Sequence, residues 1–401
     1  MKTLVINTGS SSIKYQLIDM PEGTVLCSGL VERIGEDKGR IIHKITSKKE
    51  EMIFKESIPD HVYGMNKVSD LLSNKDFGVI NDVNDVPLVG HRIVHGGDRF
   101  SSITKITNEV KVAIRELSIL APLHNPANLI GIETAEHVFP NAVQVGVFDT
   151  AFHQSIPEKA FRYALPERFY QENGIRAYGF HGTSHRYVSK LAAEYLGKKI
   201  ENASLITIHL GNGASITAIK DGKSIDTSLG MSTISGLVMG TRIGDIDPGV
   251  LIYMQEELGL SFKELKTILN KESGLLGLTG ENDVRTVSER YLNGDAEAKI
   301  ALSIYAYRIK KYIGAYLAAI GKTDAIVFTA GVGENSSLIR ALSTESLDHL
   351  GIILDPQKNT LRSAETRSIA SDNSSVNILV IPTNEELEIA RQAFTLLNEK
   401  D

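Results

Sequence analysis

The side chains best suited to act on an anion sit in a few short stretches of this chain. "GHRIVHGGDRF" carries Arg92 beside a glycine pair. An arginine there can grip a carboxylate or phosphate through two parallel hydrogen bonds, or simply lie on the surface. "MGTRIGDIDPG" sets Arg242 between Gly240 and Gly244, with Asp245 and Asp247 leading into Pro248. Those carboxylates suit a metal or an ordinary Asp-Pro turn. "YGFHGTSHRYVSK" places His181 just before an expected helix, where an imidazole can donate to an anion or pack as part of a cap. Thr183 or Ser184 is the expected helix cap, Gly197 its end, and His185 a structural residue inside it. Three glycine turns complete the set: "INTGSSSIKY", "IHLGNGAS" and "TAGVGENS". Polar glycine turns behind buried strands turn backbone N–H groups toward phosphate, although the Walker and GxGxxG patterns are both absent. Glycine cradles, two arginines, an anion-donating histidine and carboxylates for Mg²⁺ are the parts of a phosphoryl-transfer site. That reaction asks for positioning and charge neutralisation. His91 and His95 on one strand face would raise zinc, but no further ligand cluster joins them.

An apolar run predicts a buried strand over 4–6 and period-2 alternation one over 13–17; further strands are expected over 25–33, 40–45 and 87–94, and another ending near Asp149. Residues 48–55 read as a charged, solvated segment. Helices are expected around 62–72, 108–120 and 296–320. In "PTNEELEIA", Thr383 as N-cap and Glu386 closing a capping box start the last helix and put Glu385 on its first turn. A strand over 325–329 runs into Gly331 and Gly333, with a helix expected from Asn335 or Ser336. "LITIHLGNGASITAIKDGKSID" repeats the strand–turn–strand theme of "LVINTGSSSIKYQLIDMPEGTVL", with Asn7 falling on His209 and Gly9 on Gly211. The offset is half the chain, which points to an internal duplication.

The composition, 42% hydrophobic and 23% charged, is that of a globular protein. A net charge of −6 gives no electrostatic case for nucleic acid. The lone Cys27 cannot form an intrachain disulfide and fits a reducing cytoplasm. No apolar run reaches the length of a membrane span or a signal-peptide core, so a cytoplasmic location without membrane attachment is expected.

"NTGSSSIKY", "GHRIVHGG", "PLHNP", "FDTAFH", "YGFHGTSH", "HLGNGAS", "GTRIGDIDPG", "TAGVGENS" and "TNEELEIA" occur in the order seen in the acetate kinases. The resemblance runs over essentially the whole chain. It implies an α/β fold, a duplicated actin-like (ribonuclease H-like) ATPase core in two domains around a central cleft. The expected domains are 1–150, joined by a C-terminal helix 385–401, and 151–384, the nucleotide-binding half. The implied activity is reversible Mg²⁺-dependent transfer of the ATP γ-phosphoryl group to acetate, with Mn²⁺ as a substitute metal and a homodimeric assembly.

Carried over by motif, Asn7 and Glu385 resemble metal ligands. Arg92, Asp149, His181 and Arg242 resemble the catalytic set. Val94, Leu123 and Phe180 resemble the apolar pocket for the acetate methyl, and Lys14 a substrate- and nucleotide-binding lysine. The nucleotide-contacting residues by the same resemblance are His209, Leu210, Gly211, Asn212 and Gly213; Asp283, Val284 and Arg285; and Gly331, Val332, Gly333, Glu334 and Asn335. Asp149 is expected to orient an arginine or a metal-bound water, because a carboxylic acid with a pKa of about 4–5 is already ionised at pH 7 and needs no base. Thr233 stands where the family usually has proline, and Ile243 where serine is common, so propionate is the rival substrate. An Hsp70- or actin-like ATPase is the alternative of another class; the apolar trio and Arg92 would have no purpose in it.

Overall fold

The computed structural model describes residues 1–48 and 50–398, which form two compact units: Met1–Ala151 together with Asn384 onward, and Phe152–Thr383. Lys49 and residues 399–401, the end of the expected last helix, lie outside the described residues.

The first unit is built on an eight-stranded sheet. Its strands are β1 (Lys2–Gly9), β2 (Ser12–Asp19), β3 (Thr24–Glu32), β4 (Gly39–Ile45), β5 (Glu50–Glu56), β6 (Leu88–Ile93), β7 (Thr104–Lys105) and β8 (Val143–Phe148). They lie in the order β5-β4-β3-β2-β1-β6-β8-β7. β1 to β5 form an antiparallel meander, whereas β1, β6 and β8 run parallel. Parallel strands need crossovers that cover the sheet with helices, so their strands are apolar on both sides. Leu4, Val5 and Ile6 are accordingly all buried. Leu4 and Ile6 face a core that includes Met65 and Val68 of helix His61–Leu72 and Ala135 of helix Asn125–Val138. Val5 faces the other way, onto Ile389 and Ala390 of helix Glu385–Asn398.

The second unit repeats the plan. Its strands are β9 (Leu205–Leu210), β10 (Ala214–Lys220), β11 (Lys223–Thr227), β12 (Ala325–Thr329), β13 (Arg367–Ser368) and β14 (Asn377–Val380), in the order β11-β10-β9-β12-β14-β13. An antiparallel hairpin leads into parallel β9, β12 and β14, as β2–β1 leads into β6 and β8. The hairpins differ at the tip. Gly9 faces Ser12 across a two-residue turn, whereas Leu210 faces Ala214 across three residues.

The structure corrects or refines several local expectations. Residues 50–56, expected to be charged and solvated, are largely exposed and also form an edge strand, whose Glu and Lys side chains keep an open edge from pairing with other chains. Helix Gly182–Tyr195 starts two or three residues earlier than a Thr183 or Ser184 cap would allow, because His181 itself takes the cap position, in left-handed conformation at φ 56°. The last helix is capped by Asn384, whose Oδ1 accepts from Leu387 N at 2.9 Å. Thr383 and Glu386, the expected capping box, are engaged elsewhere. The glycine stretch after β12 is itself a short helix, Ala330–Asn335, followed by Ser337–Thr344, which Ser336 caps. Among the described residues no helix is long and apolar enough to cross a membrane.

Helix Asn125–Val138 approaches β1 at Gly131, where an added Cβ would overlap the Thr8 side chain, one residue from Asn7. Gly131→Ala is therefore expected to destabilise the protein by about 1–3 kcal/mol through overpacking, read as a lower midpoint in urea. Wild-type stability would show that the helix can retreat at no cost.

Candidate active site

In the first unit the site residues gather at the carboxyl ends of the parallel strands. β6 delivers Arg92 and β8 delivers the segment that enters Asp149. Asp149 is buried and holds Arg92 with both oxygens: Nη2 donates to Oδ2 at 2.6 Å, and Nε lies 3.1 and 3.2 Å from Oδ2 and Oδ1. Glu385 stands 3.6 Å from Arg92 Nε, and Lys14 pairs with Glu386. Burial pushes the Glu385 carboxyl above its usual range; Arg92 opposes that shift, while Asp149 and Glu386 add to it.

Three carboxylates thus face two cations. That excess of hard, negative oxygen is what a divalent cation relieves. No cluster of three or more metal-ligating side chains forms among the described residues. Mg²⁺ ordinarily takes only one or two carboxylates and completes its shell with water and phosphate oxygen, so the donor set fits it. Asn7 lies half-buried near the end of β1, across the ladder from Lys14.

Two residues that sequence reasoning left unassigned position this edge. Asn128 Oδ1 accepts from Val94 N at 3.1 Å, and its Nδ2 donates to Thr8 O at 2.8 Å. Asn125 exchanges two hydrogen bonds with the His95 backbone. The "PLHNP" motif contains Asn125, but nothing local reveals a partner 30 or 120 residues away. Val94 is half-buried here and Leu123 is 61% exposed, while Phe180 is buried in the second unit.

The zinc reading of His91 and His95 has no geometric support. His91 lies on β6 with Nε2 at 2.8 Å from Gln144 Oε1, whereas His95 lies beyond the strand and accepts from Gly97 N.

In the second unit, Arg242 Nη1 donates to Thr233 O at 2.9 Å, and burial lowers the Arg242 pKa. His181 Nδ1 lies 2.9 Å from Ser215 Oγ, and its ring stacks on His209 at 4.4 Å. His209 Nδ1 is 2.8 Å from Ser184 Oγ. A Cβ on Gly213 would meet His181 Nε2 at 3.0 Å and Arg242 Nη1 at 3.6 Å, so this glycine leaves room where the two side chains converge. A cavity of about 1050 Å³ opens beside them. Its lining includes Gly211, Asn212, Arg242, Asp283, Val284, Arg285, Gly331, Val332 and Asn335. His209, Leu210, Gly213, Gly333 and Glu334 stand behind or beside that wall: Glu334 accepts from Thr383 N, and Arg340 donates to the carbonyls of Gly333 and Glu334. Asp283 caps helix Val284–Leu292 and pairs with Arg285. Asn282, Ser337 and Arg362 also line the cavity; they sit in segments with no motif. Asp245 and Asp247 serve as turn and cap residues, accepting from Gly236 N and Gly249 N.

His181 and Ala330, at φ 56° and 63°, are both non-glycine residues in left-handed conformation. Each costs about 1–2 kcal/mol, and strain of this kind gathers where function fixes the backbone.

Two mixed sheets, each an antiparallel hairpin feeding parallel strands, define a duplicated actin-like ATPase fold. The model of the acetokinase family matches residues 2–391, and the chain belongs to that family. It is 52% identical over 400 residues to the acetate kinase of Oleidesulfovibrio alaskensis, covering 99% of this chain and all of that protein. Among solved structures, it superposes on the acetate kinase of Porphyromonas gingivalis with a TM-score of 0.95 at 44% identity, over 99% of this chain and all of the other. A propionate kinase from Francisella tularensis gives a TM-score of 0.92 at 42% identity, over 98% and 99% of the two chains.

The buried histidines of the first unit make stability depend on pH. Burial pushes His43, His91 and His95 each down to about 4 from an ordinary 6.5. Between those values the unfolded chain binds more protons than the folded one, so stability is full above about pH 6.5 and falls as pH drops toward 4. The loss approaches about 1.4 kcal/mol per pH unit per histidine. Urea titrations at pH 7 and 4.5 are expected to show a clear drop; equal midpoints would contradict it.

Proposed function

We propose that this chain catalyses reversible transfer of the ATP γ-phosphoryl group to acetate, forming acetyl phosphate and ADP. The observation that carries this reading is the 52% identity, over the whole chain, to a protein named acetate kinase. An acetate oxygen forms the new O–P bond as the bond from the γ-phosphorus to the β,γ-bridging oxygen breaks; the acetate is already ionised, so no proton must move. Arg92, held rigidly by Asp149, binds the carboxylate, and Asp149 acts as an orienting group. His181 and Arg242 donate to the equatorial oxygens of the moving group, where added positive charge lowers the barrier. The cavity beside Gly211 and Gly331 takes the adenosine. Asn7 and Glu385 would hold Mg²⁺, which when bound would neutralise phosphate charge.

Val94, Leu123 and Phe180 wall the acyl methyl. Thr233 faces the same choice between acids, and the propionate kinase among the structural relatives makes propionate the second reading. The enzyme works in the cytoplasm as a homodimer. Helix Ala296–Ile320 supports this assembly by exposing Ile300, Ile304 and Tyr307 at i, i+4 and i+7.

A hydroxylamine trap with ATP, Mg²⁺ and a panel of short acids tests the substrate. Hydroxamate is expected from acetate first and propionate next; none from any acid would sink the reading. Arg242→Ala is expected to lower kcat by about 10²–10³ with little change in the KM for ATP. A change confined to KM would remove Arg242 from the transition state.

A further inference from the structure

A line of buried hydrogen bonds runs behind His181. Thr207 Oγ1 lies 2.7 Å from His185 Nδ1, His185 Nε2 lies 2.7 Å from Ser215 Oγ, and Ser215 Oγ lies 2.9 Å from His181 Nδ1. Thr207, His185 and Ser215 are fully buried. His185 is neutral, because burial and the neighbouring His153 and His209 push its pKa well down. It therefore has one N–H and one lone pair to offer.

Proton counting fixes the direction of this line. Each hydroxyl brings one proton, and the Ser215 hydroxyl between two imidazoles places that proton on an acceptor only by donating to one ring and accepting from the other. Ser215 could also accept from both rings, but its own buried proton would then have no acceptor, which leaves two patterns. In one, Thr207 donates to His185 Nδ1, His185 Nε2–H donates to Ser215, and Ser215 donates to His181 Nδ1. In the other, every donor and acceptor is reversed. His185 is the hydrogen-bond partner of the Thr207 hydroxyl. The reversed pattern would make that hydroxyl an acceptor there and leave its proton buried without an acceptor, a costly arrangement. The first pattern leaves no such orphan.

We propose that Thr207, acting through His185 and Ser215, is a positioning residue that sets the tautomer of His181, so that Nδ1 accepts and Nε2 carries the proton. Nε2 is the ring nitrogen nearest Gly213, beside Arg242 Nη1. The relay thus aims an N–H donor into the space where the transferred phosphoryl group is placed above. The inference rests on that reading only for its effect on rate; the tautomer itself is a property of the free protein.

The experiment uses the full-length protein with ¹⁵N-labelled histidine and long-range ¹H–¹⁵N correlation of the rings. Wild type is expected to show His181 and His185 both protonated at Nε2. Thr207→Val is isosteric and removes the proton source. It is expected to give mixed tautomers at both rings and to lower kcat about tenfold, short of the 10²–10³ that loss of the donor itself costs, with both KM values within about twofold. Thr207→Ser keeps the hydroxyl and should restore the wild-type spectrum and rate. Ser215→Ala, which breaks the line nearer the site, should free His181 without disturbing the tautomer of His185. A His181 proton on Nδ1 in wild type would overturn the proposal. So would unchanged tautomers in Thr207→Val, or altered tautomers with unchanged kcat. Absence of acyl phosphate from wild type would instead overturn the substrate reading and leave the spectroscopic result standing.

Discussion

An arginine cannot shed its charge, and Arg92 is carried on an interior strand. The first unit depends on how that charge is met. Asp149, at the end of the neighbouring parallel strand, offers both carboxylate oxygens, and the pairing fixes the guanidinium plane as well as its charge. The order β1-β6-β8 is what brings these two chain ends side by side. Once the pair forms, Glu385 and Glu386 leave negative charge in excess, held on the helix that covers the far face of the same sheet. The acid-rich pocket is thus a result of how the sheet is covered.

The second unit solves a different problem with the same strands. Its polar interior is mostly neutral: hydroxyls and imidazoles joined in lines, with Ser184, Thr207 and Ser215 among them. Neutral groups can be buried when every proton finds an acceptor, and the buried Arg340 is met by carbonyl oxygens and Asn359 with no carboxylate. The first unit thus pairs Arg92 with carboxylates, whereas the second meets its buried Arg340 with neutral oxygen acceptors.

Much of this was legible in the residues. Apolar runs located β1 and β9, alternation located β2, and the repeated pattern located the hairpin of β9 and β10, because a strand covered on both faces is apolar throughout and one covered on a single face alternates. Glycines marked the turns that later proved to line or support the cavity. Pairings across long separations were not legible: Arg92 with Asp149 spans 57 residues, and Asn128 with Thr8 spans 120. The helix starts at His181 and Asn384 were misread for a related reason. Cap preference is a local tendency of about 1 kcal/mol: His181 departs from it, whereas at the last helix Asn384, as good a cap as the adjacent Thr383, takes the position. Arg362 and Ser337 enter the cavity from segments whose composition says only that they are loops or helix ends.

The two hairpin tips differ by one residue, and this has a consequence for how the halves diverged. In β1–β2 the ladder sets Lys14 opposite Asn7; in β9–β10 it sets Ser215 opposite His209. Ser215 is therefore the topological twin of Lys14, although a constant spacing along the chain would match Lys14 with Ile216. A single inserted or deleted residue at a turn was absorbed there without turning either strand inside out. The same rung was then free to become an exposed cation in one half and a buried switchpoint for protons in the other. Homology between such halves has to be traced along rungs of the sheet, since counting along the chain assigns the twins wrongly.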